Sequence, residues 1–246
     1  MLPPEDWALT GGEVHVFAAR LDPPPPQVRQ CSALLSEDER ARAGRFHFED
    51  DRRRFLVGRG LLRRLLGWAT RAEPRRLVFS YSVTGKPRLV AEDADRFVHF
   101  NLAHANELVV YALSRVDEVG IDVEFIRALP DADAVAGQFF SPQEYARWCA
   151  LPAALSTEAF FNCWTRKEAF LKASGAGISE ALSQVEVSFV PGEPPRYLRL
   201  AGDASAAARW RLEPLAPAPG YVGALATKQT GTRVACWKWP VGESTI

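Results

Sequence analysis

"FFSPQEYARWC" (139–149) is a helix opening that this chain has used once before. Ser141, Glu144, Ala146 and Arg147 each follow Ser36, Glu39, Ala41 and Arg42 of "LLSEDERARAGRF" (34–46) by 105 residues. A serine with glutamate three residues on is a capping box. The hydroxyl takes an orphan helix amide, and the carboxylate reaches back to the serine's own amide. That spacing is common at helix starts, so four matching residues do not make a repeat by themselves. The order of the later elements does. Each opening precedes a second amphipathic helix, expected over 51–69 and 158–173, and then a series of strands. The pattern predicts an α+β fold of two pseudo-symmetric halves, 1–116 and 117–246, with a shared site expected in the cleft between them.

"EVHVFAARL" (13–21) alternates like a strand, and further strands are expected at 76–82, 97–104, 108–114, 119–126, 184–190, 210–215 and 221–227. "DPPPPQ" (22–27) should stop the first of these, and "TGKP" (84–87) reads as a turn.

Composition narrows the function classes. The 246 residues are 47% apolar and 24% charged, ordinary for a globular protein that buries one large core or two smaller ones. Net charge is zero, so no global field draws in nucleic acid or a membrane. Locally, twelve arginines from Arg40 to Arg76 face only Glu49, Asp50, Asp51 and Glu73, a patch that suits phosphates, an acidic protein partner or plain solvent. Cys31, Cys149, Cys163 and Cys236 show no C-x-x-C spacing and do not cluster with the histidines, so zinc is not expected. Unpaired cysteines fit reduced thiols and a cytoplasmic protein. The first residues lack the basic-then-apolar pattern of a signal peptide, and no run of about 18 apolar residues suggests a membrane span.

One charge lies where a core residue belongs. In "FFNCWTRKEAFLKASGAG" (160–177), a helix ending at a glycine, Phe160, Phe161, Trp164 and Leu171 share one stripe at 100° per residue. Glu168 falls inside that stripe, with Lys167 and Lys172 to either side. A carboxylate in an apolar stripe costs several kcal/mol unless a counter-charge takes up its lone pairs. An exposed lysine pair, at about 0.5 kcal/mol, does not offset real burial. In "GIDVEFI" (120–126) alternation sends Ile121, Val123 and Phe125 to one face and Asp122 and Glu124 to the other. A wet edge strand explains a lone D-x-E. With Glu168 added, three carboxylates without His or Cys make a hard oxygen set suited to Mg²⁺, as Asp122, Glu124 and Glu168.

"GIDVEFI" followed by "WTRKEAFLKASGAGI" (164–178) resembles the paired signature of the 4′-phosphopantetheinyl transferases, the larger, single-chain type. "RFLVGR" (54–59), "TGKP", "FNLAH" (100–104) and "FFSPQEY" (139–145) agree in family order, from residue 34 to about 178. The resemblance implies two pseudo-symmetric α+β halves with coenzyme A and Mg²⁺ between them. It implies transfer of the phosphopantetheine arm of coenzyme A to a serine of an acyl, aryl or peptidyl carrier protein, as in fatty acid, polyketide and nonribosomal peptide synthesis. Adenosine 3′,5′-bisphosphate leaves. Carried over residue by residue, Asp122, Glu124 and Glu168 would ligate Mg²⁺. Lys172 would neutralise the leaving phosphate, and Glu168 is also the candidate base for the carrier serine. His104, Lys86, Arg54, Arg59 and Arg42 match positions near the nucleotide and its phosphates. Lys167 is expected to face water or shield Glu168. One departure stands out: Ala103 occupies a position where the family usually has serine, which removes a phosphate contact and predicts that Ala103→Ser lowers KM for coenzyme A. The expected protein is a monomer with internal pseudo-twofold symmetry.

Two other classes fit parts of the pattern. A Mg²⁺-dependent phosphodiesterase or nuclease would use the same three acids and the arginine patch. A non-catalytic module would bind a nucleotide or a carrier without turnover.

Overall fold

Ser36 and Ser141 each cap a helix, as their spacing predicts. The computed structural model describes residues 7–82, 85–90, 97–175, 182–228 and 231–239. In chain order the elements are β1 (Glu13–Arg20), α1 (Pro25–Ala33), α2 (Glu37–Ala43), α3 (Glu49–Thr70), β2 (Val78–Tyr81), β3 (Pro87–Val90), β4 (His99–Ala105), β5 (Leu108–Ser114) and β6 (Val119–Phe125). They continue with α4 (Ala132–Phe139), α5 (Pro142–Cys149), α6 (Ala153–Ser174), β7 (Val185–Val187), β8 (Tyr197–Leu200), a short helix Ala204–Ala207, β9 (Arg211–Leu215), β10 (Tyr221–Thr227) and β11 (Arg233–Lys238). The fold is α+β.

By their contacts the residues divide into two units. The first holds the described residues up to His99, Asn106–Val116 and those from Val234 onward; the second holds Phe100–Ala105 and those of Asp117–Arg233. Two segments thus depart from a single cut after residue 116. Part of β4 counts with the second unit, and the final strand returns to the first.

In the first unit, β11, β1 and β5 lie side by side in that order. β1 and β5 are antiparallel, from Val14 opposite Ser114 to Arg20 opposite Leu108. Leu61, Leu62, Leu65 and Leu66 of α3 are buried with Phe17, Val110 and Leu113, each large side chain contributing about 2 kcal/mol. The Tyr111 hydroxyl donates to the Gly58 carbonyl at 2.7 Å, tying β5 to α3. Gly60 lets α1 close in, because a Cβ there would lie 2.5 Å from that of Cys31. The four-proline run does more than end β1. Pro25 and Pro26 open α1 from its first turn, where the missing amide loses no hydrogen bond.

In the second unit β10 lies between β6 and β9, antiparallel to both. Its register sets Ala224 opposite Asp122 and Val222 opposite Glu124. α6 packs over this sheet, and its buried Phe160, Phe161 and Leu171 join Phe140, Val187 and Phe189 in one core. The strand expected over 184–190 is shorter, only Val185–Val187, and pairs with β8. α6 ends at Gly175, whose φ of 74° suits a residue without a side chain.

The duplication extends into each interior. Glu39 accepts from the Ser36 amide at 3.1 Å and from Arg63 Nε at 2.6 Å. Arg63 also donates to the Leu77 carbonyl at 3.0 Å. In the other unit Glu144 accepts from the Ser141 amide at 2.8 Å, and Lys167 Nζ lies 2.6 Å from Glu144 Oε2. Lys167 also donates to the Leu182 carbonyl at 2.8 Å. Each clasp joins a capping glutamate, a cation on the following long helix and the carbonyl leading into the next strands. The arginine patch is correspondingly less exposed than its sequence suggests: Arg63 is 1% exposed, and Arg52, Arg53 and Arg54 pair with Glu49, Asp50 and Asp51 one turn earlier.

Candidate active site

Gly120 determines how near α6 comes to β6. A Cβ at that position would lie 2.0 Å from the Ala169 carbonyl oxygen and 2.4 Å from the Ala173 amide. The bare backbone admits the helix, which then presents Glu168 and Lys172 beside Asp122 and Glu124, all within the second unit. Asp122 and Glu168 are both buried, at 6% and 5% exposure. Lys172 Nζ donates to Asp122 Oδ1 at 2.6 Å. Asp122 Oδ2 and Glu168 Oε1 are buried with no hydrogen-bond partner among the described residues. Glu124, half-buried, lies 3.8 Å from Arg127, whose guanidinium covers the Phe161 ring.

The electrostatics follow. Burial, then the charge of Asp122, pushes the Glu168 carboxyl up to about 7, against the pull of Lys172. Burial also raises Asp122, although Lys172 opposes it. Burial and then Asp122 raise Glu124. Three acids that disfavour one another's ionisation, with two unmet buried oxygens, are a place where positive charge would be stabilised. The donor set is all oxygen, which suits a hard dication. Among the described residues no three His, Cys, Asp or Glu side chains are already drawn together as an ion site, and Lys172 holds one oxygen of Asp122.

Other candidate residues lie elsewhere in the two units. His104, on β4, belongs to the second unit and is exposed. Ala103 is buried, on the opposite face of the strand, so a hydroxyl there would point away from the His104 side. Arg42, Arg54, Arg59 and Lys86 belong to the first unit. Arg42 and Arg45 line an open pocket of about 550 Å³ together with Asp38, Phe46 and Tyr81. Arg54 is half-exposed. Lys86 lies just before β3 in the β2–β3 hairpin; Thr84 of the expected turn lies outside the described residues. Arg59 serves the structure. Its Nε donates to Glu39 at 2.7 Å, its other end reaches the Tyr81 hydroxyl, and its guanidinium covers Phe79. Burial drives the Glu39 carboxyl up, but Arg63, the Ser36 amide and Arg59 more than reverse this and hold it below its usual value.

Lys167 corrects the sequence reading outright. It is fully buried against Glu144, facing neither water nor Glu168. A signal for this was present: a cation follows the capping glutamate by 24 residues in one half (Glu39, Arg63) and 23 in the other (Glu144, Lys167).

Comparison with known proteins shows the family. Residues 118–226 match the sequence model of the "4'-phosphopantetheinyl transferase superfamily", and residues 20–115 match that of "4'-phosphopantetheinyl transferase, N-terminal". The chain is 37% identical to 4'-phosphopantetheinyl transferase HetI of Nostoc sp., over 96% of each protein. It belongs to the 4′-phosphopantetheinyl transferase superfamily. It is 37% identical to a putative 4'-phosphopantetheinyl transferase of Synechocystis sp. over 77% of this chain and 79% of that one. It is 30% identical to 4'-phosphopantetheinyl transferase Sfp of Bacillus subtilis, over 63% and 66% respectively. Membership makes the chain an enzyme of the transferase class, and the nuclease and non-catalytic alternatives gain no support. Among the described residues no helix is long and apolar enough to cross a membrane.

Proposed function

We propose that the chain moves the 4′-phosphopantetheine arm of coenzyme A onto a serine of an apo carrier protein and releases adenosine 3′,5′-bisphosphate. The observation that carries the site assignment is the pair of buried oxygens on Asp122 and Glu168, without a partner among the described residues, beside the Lys172 ammonium. Asp122, Glu124 and Glu168 would hold Mg²⁺, which when bound would draw off charge from the diphosphate of coenzyme A and orient it. The serine oxygen bonds to the phosphorus carrying the pantetheine, the bond from that phosphorus to the bridging oxygen breaks, and the bisphosphate departs with that oxygen. Phosphoryl transfer asks mainly for position and charge, and Lys172 stabilises the charge growing on the departing group. Glu168 is also assigned to accept the serine proton, directly or through water; its raised carboxyl belongs to the metal-free site, and a bound dication would lower it.

On the nucleotide side, Arg42, Arg54, Lys86 and His104 are assigned to the phosphates. The open pocket beside Arg42 and Arg45 supports the first of these. Arg59 is assigned instead to holding α2 through Glu39. We place the enzyme in the cytoplasm as a monomer, a setting that suits four free cysteines. The test is incubation with coenzyme A, Mg²⁺ and a panel of apo acyl, aryl and peptidyl carriers, with the mass of each carrier read afterwards. A gain of one phosphopantetheine on at least one carrier is expected, lost with a chelator and in Asp122→Ala and Glu168→Gln. No gain on any carrier would remove the proposal; turnover undiminished by chelator would remove the metal.

A further inference from the structure

Lys167 immediately precedes Glu168 on α6, and its ammonium is fixed from three directions. Glu144 Oε2 lies at 2.6 Å, the Leu182 carbonyl at 2.8 Å and the Phe139 carbonyl at 3.4 Å. Glu144 is itself immobilised, its Oε1 by the Val187 amide at 2.8 Å and its Oε2 by the Ser141 amide at 2.8 Å. Adjacent residues on a helix project about 100° apart. Any rotation or slide of α6 that would carry Glu168 from its place must therefore pull Lys167 out of this network. A buried ammonium withdrawn from its carboxylate is costly, so the network resists such motion. The first unit contains the same clasp, Glu39 with Arg63, but there the next residue is Arg64, whose guanidinium lies over the Trp239 ring. The device is duplicated; only one copy is coupled to an acid of the proposed site.

We propose that Lys167, through its clasp with Glu144, is a positioning residue that fixes the rotation of α6 and hence the placement of Glu168 against Asp122. The kinetic consequence rests on the transferase reading; the consequence for cation binding does not. A displacement of about 1 Å at a reacting group can cost a hundredfold in rate without altering how a remote part of the substrate binds.

The clasp of the first unit supplies an internal control. Lys167→Met and Arg63→Met each break one copy, and both should lower Tm by several degrees. Per folded molecule, Lys167→Met should reduce kcat at least tenfold with KM for coenzyme A within twofold. It should also weaken Mn²⁺ binding, read by electron paramagnetic resonance of the metal alone, at least tenfold. Arg63→Met should leave kcat and Mn²⁺ affinity within twofold. Lys167→Arg, which copies the cation of the first unit, should recover most of both quantities. If Lys167→Met does not fold, Glu144→Gln preserves the shape of the clasp and should still reduce kcat and Mn²⁺ affinity at least threefold. Values within twofold of wild type in Lys167→Met or, should it not fold, in Glu144→Gln would overturn the inference. So would an equal loss of kcat in Arg63→Met. A wild-type protein that modifies no carrier would defeat the transferase reading, and the Mn²⁺ measurements would then decide the positioning role alone.

Discussion

Lys172 Nζ touches Asp122 Oδ1 at 2.6 Å, while the second oxygen of that carboxylate meets no donor among the described residues. The lysine is thus the counter-charge that makes burial of Asp122 tolerable. Lys172→Met should strand that carboxylate, raise its affinity for a proton further and cost about 3 kcal/mol of stability at pH 7. A shift in the urea midpoint measures this. Adding Asp122→Asn should return much of the loss, because the stranded charge disappears. Transfer activity should fall about a hundredfold or more in the single variant, from lost stabilisation of the leaving phosphate. A stable, fully active Lys172→Met would contradict both roles.

Gly120 should tolerate no side chain. The 2.0 Å approach of a Cβ to the Ala169 carbonyl cannot be relieved by a side-chain rotation, because the obstacle is helix backbone. Gly120→Ala therefore either costs about 3 kcal/mol or more, or lifts α6 from β6 and parts Glu168 from Asp122. The two outcomes separate experimentally. Denaturant titration reports the first, and loss of kcat in a protein of near-normal stability reports the second. A variant normal in both would show that the helix does not sit as described.

Much of the fold is legible in the sequence where one local period is enough. The capping boxes at Ser36 and Ser141, the strands β1, β5, β6 and β10 and the glycine end of α6 follow from local pattern alone. Asp122, Glu124 and Glu168 can be picked out because each is an acid in a pattern that otherwise asks for something apolar or wet. The features that escape depend on partners remote in sequence. Arg59 reads as a free phosphate binder until Glu39, twenty residues earlier, takes its guanidinium. Lys167 reads as solvated until Glu144 and the Leu182 carbonyl surround it. Helix α1 is hidden because a proline run reads as a stop, although prolines at a first turn begin a helix. The C-terminal strand β11 carries a mixed polar pattern and forms through pairing, with the Trp239 amide just after it donating to the Ala18 carbonyl at 2.8 Å.

The raised carboxyl of Glu168 has a thermodynamic signature with a definite sign. Unfolded, the group titrates near 4.5; folded, near 7. Between those values the native state keeps a proton that the unfolded chain has released. Stability contributed by this group is therefore full below pH 4.5 and lost as pH rises through 7, amounting to at most about 3 kcal/mol. Asp122 and Glu124, both raised, act in the same direction. Glu39, held low by its arginines, acts oppositely: its contribution is present above its unfolded value and lost as pH falls. In a chelator the protein should consequently be most stable near about pH 5 and weaken toward pH 8. Glu168→Gln should flatten that descent and make the metal-free protein more stable than wild type at pH 8. Mg²⁺ should reverse the slope for wild type, since a bound dication favours the ionised acids, and should do so far less for Glu168→Gln. Melting curves from pH 5 to 8, with EDTA and with Mg²⁺, test all of this. A flat wild-type profile in EDTA, or an equal descent in Glu168→Gln, would mean that Glu168 is not the buried, charge-starved acid described.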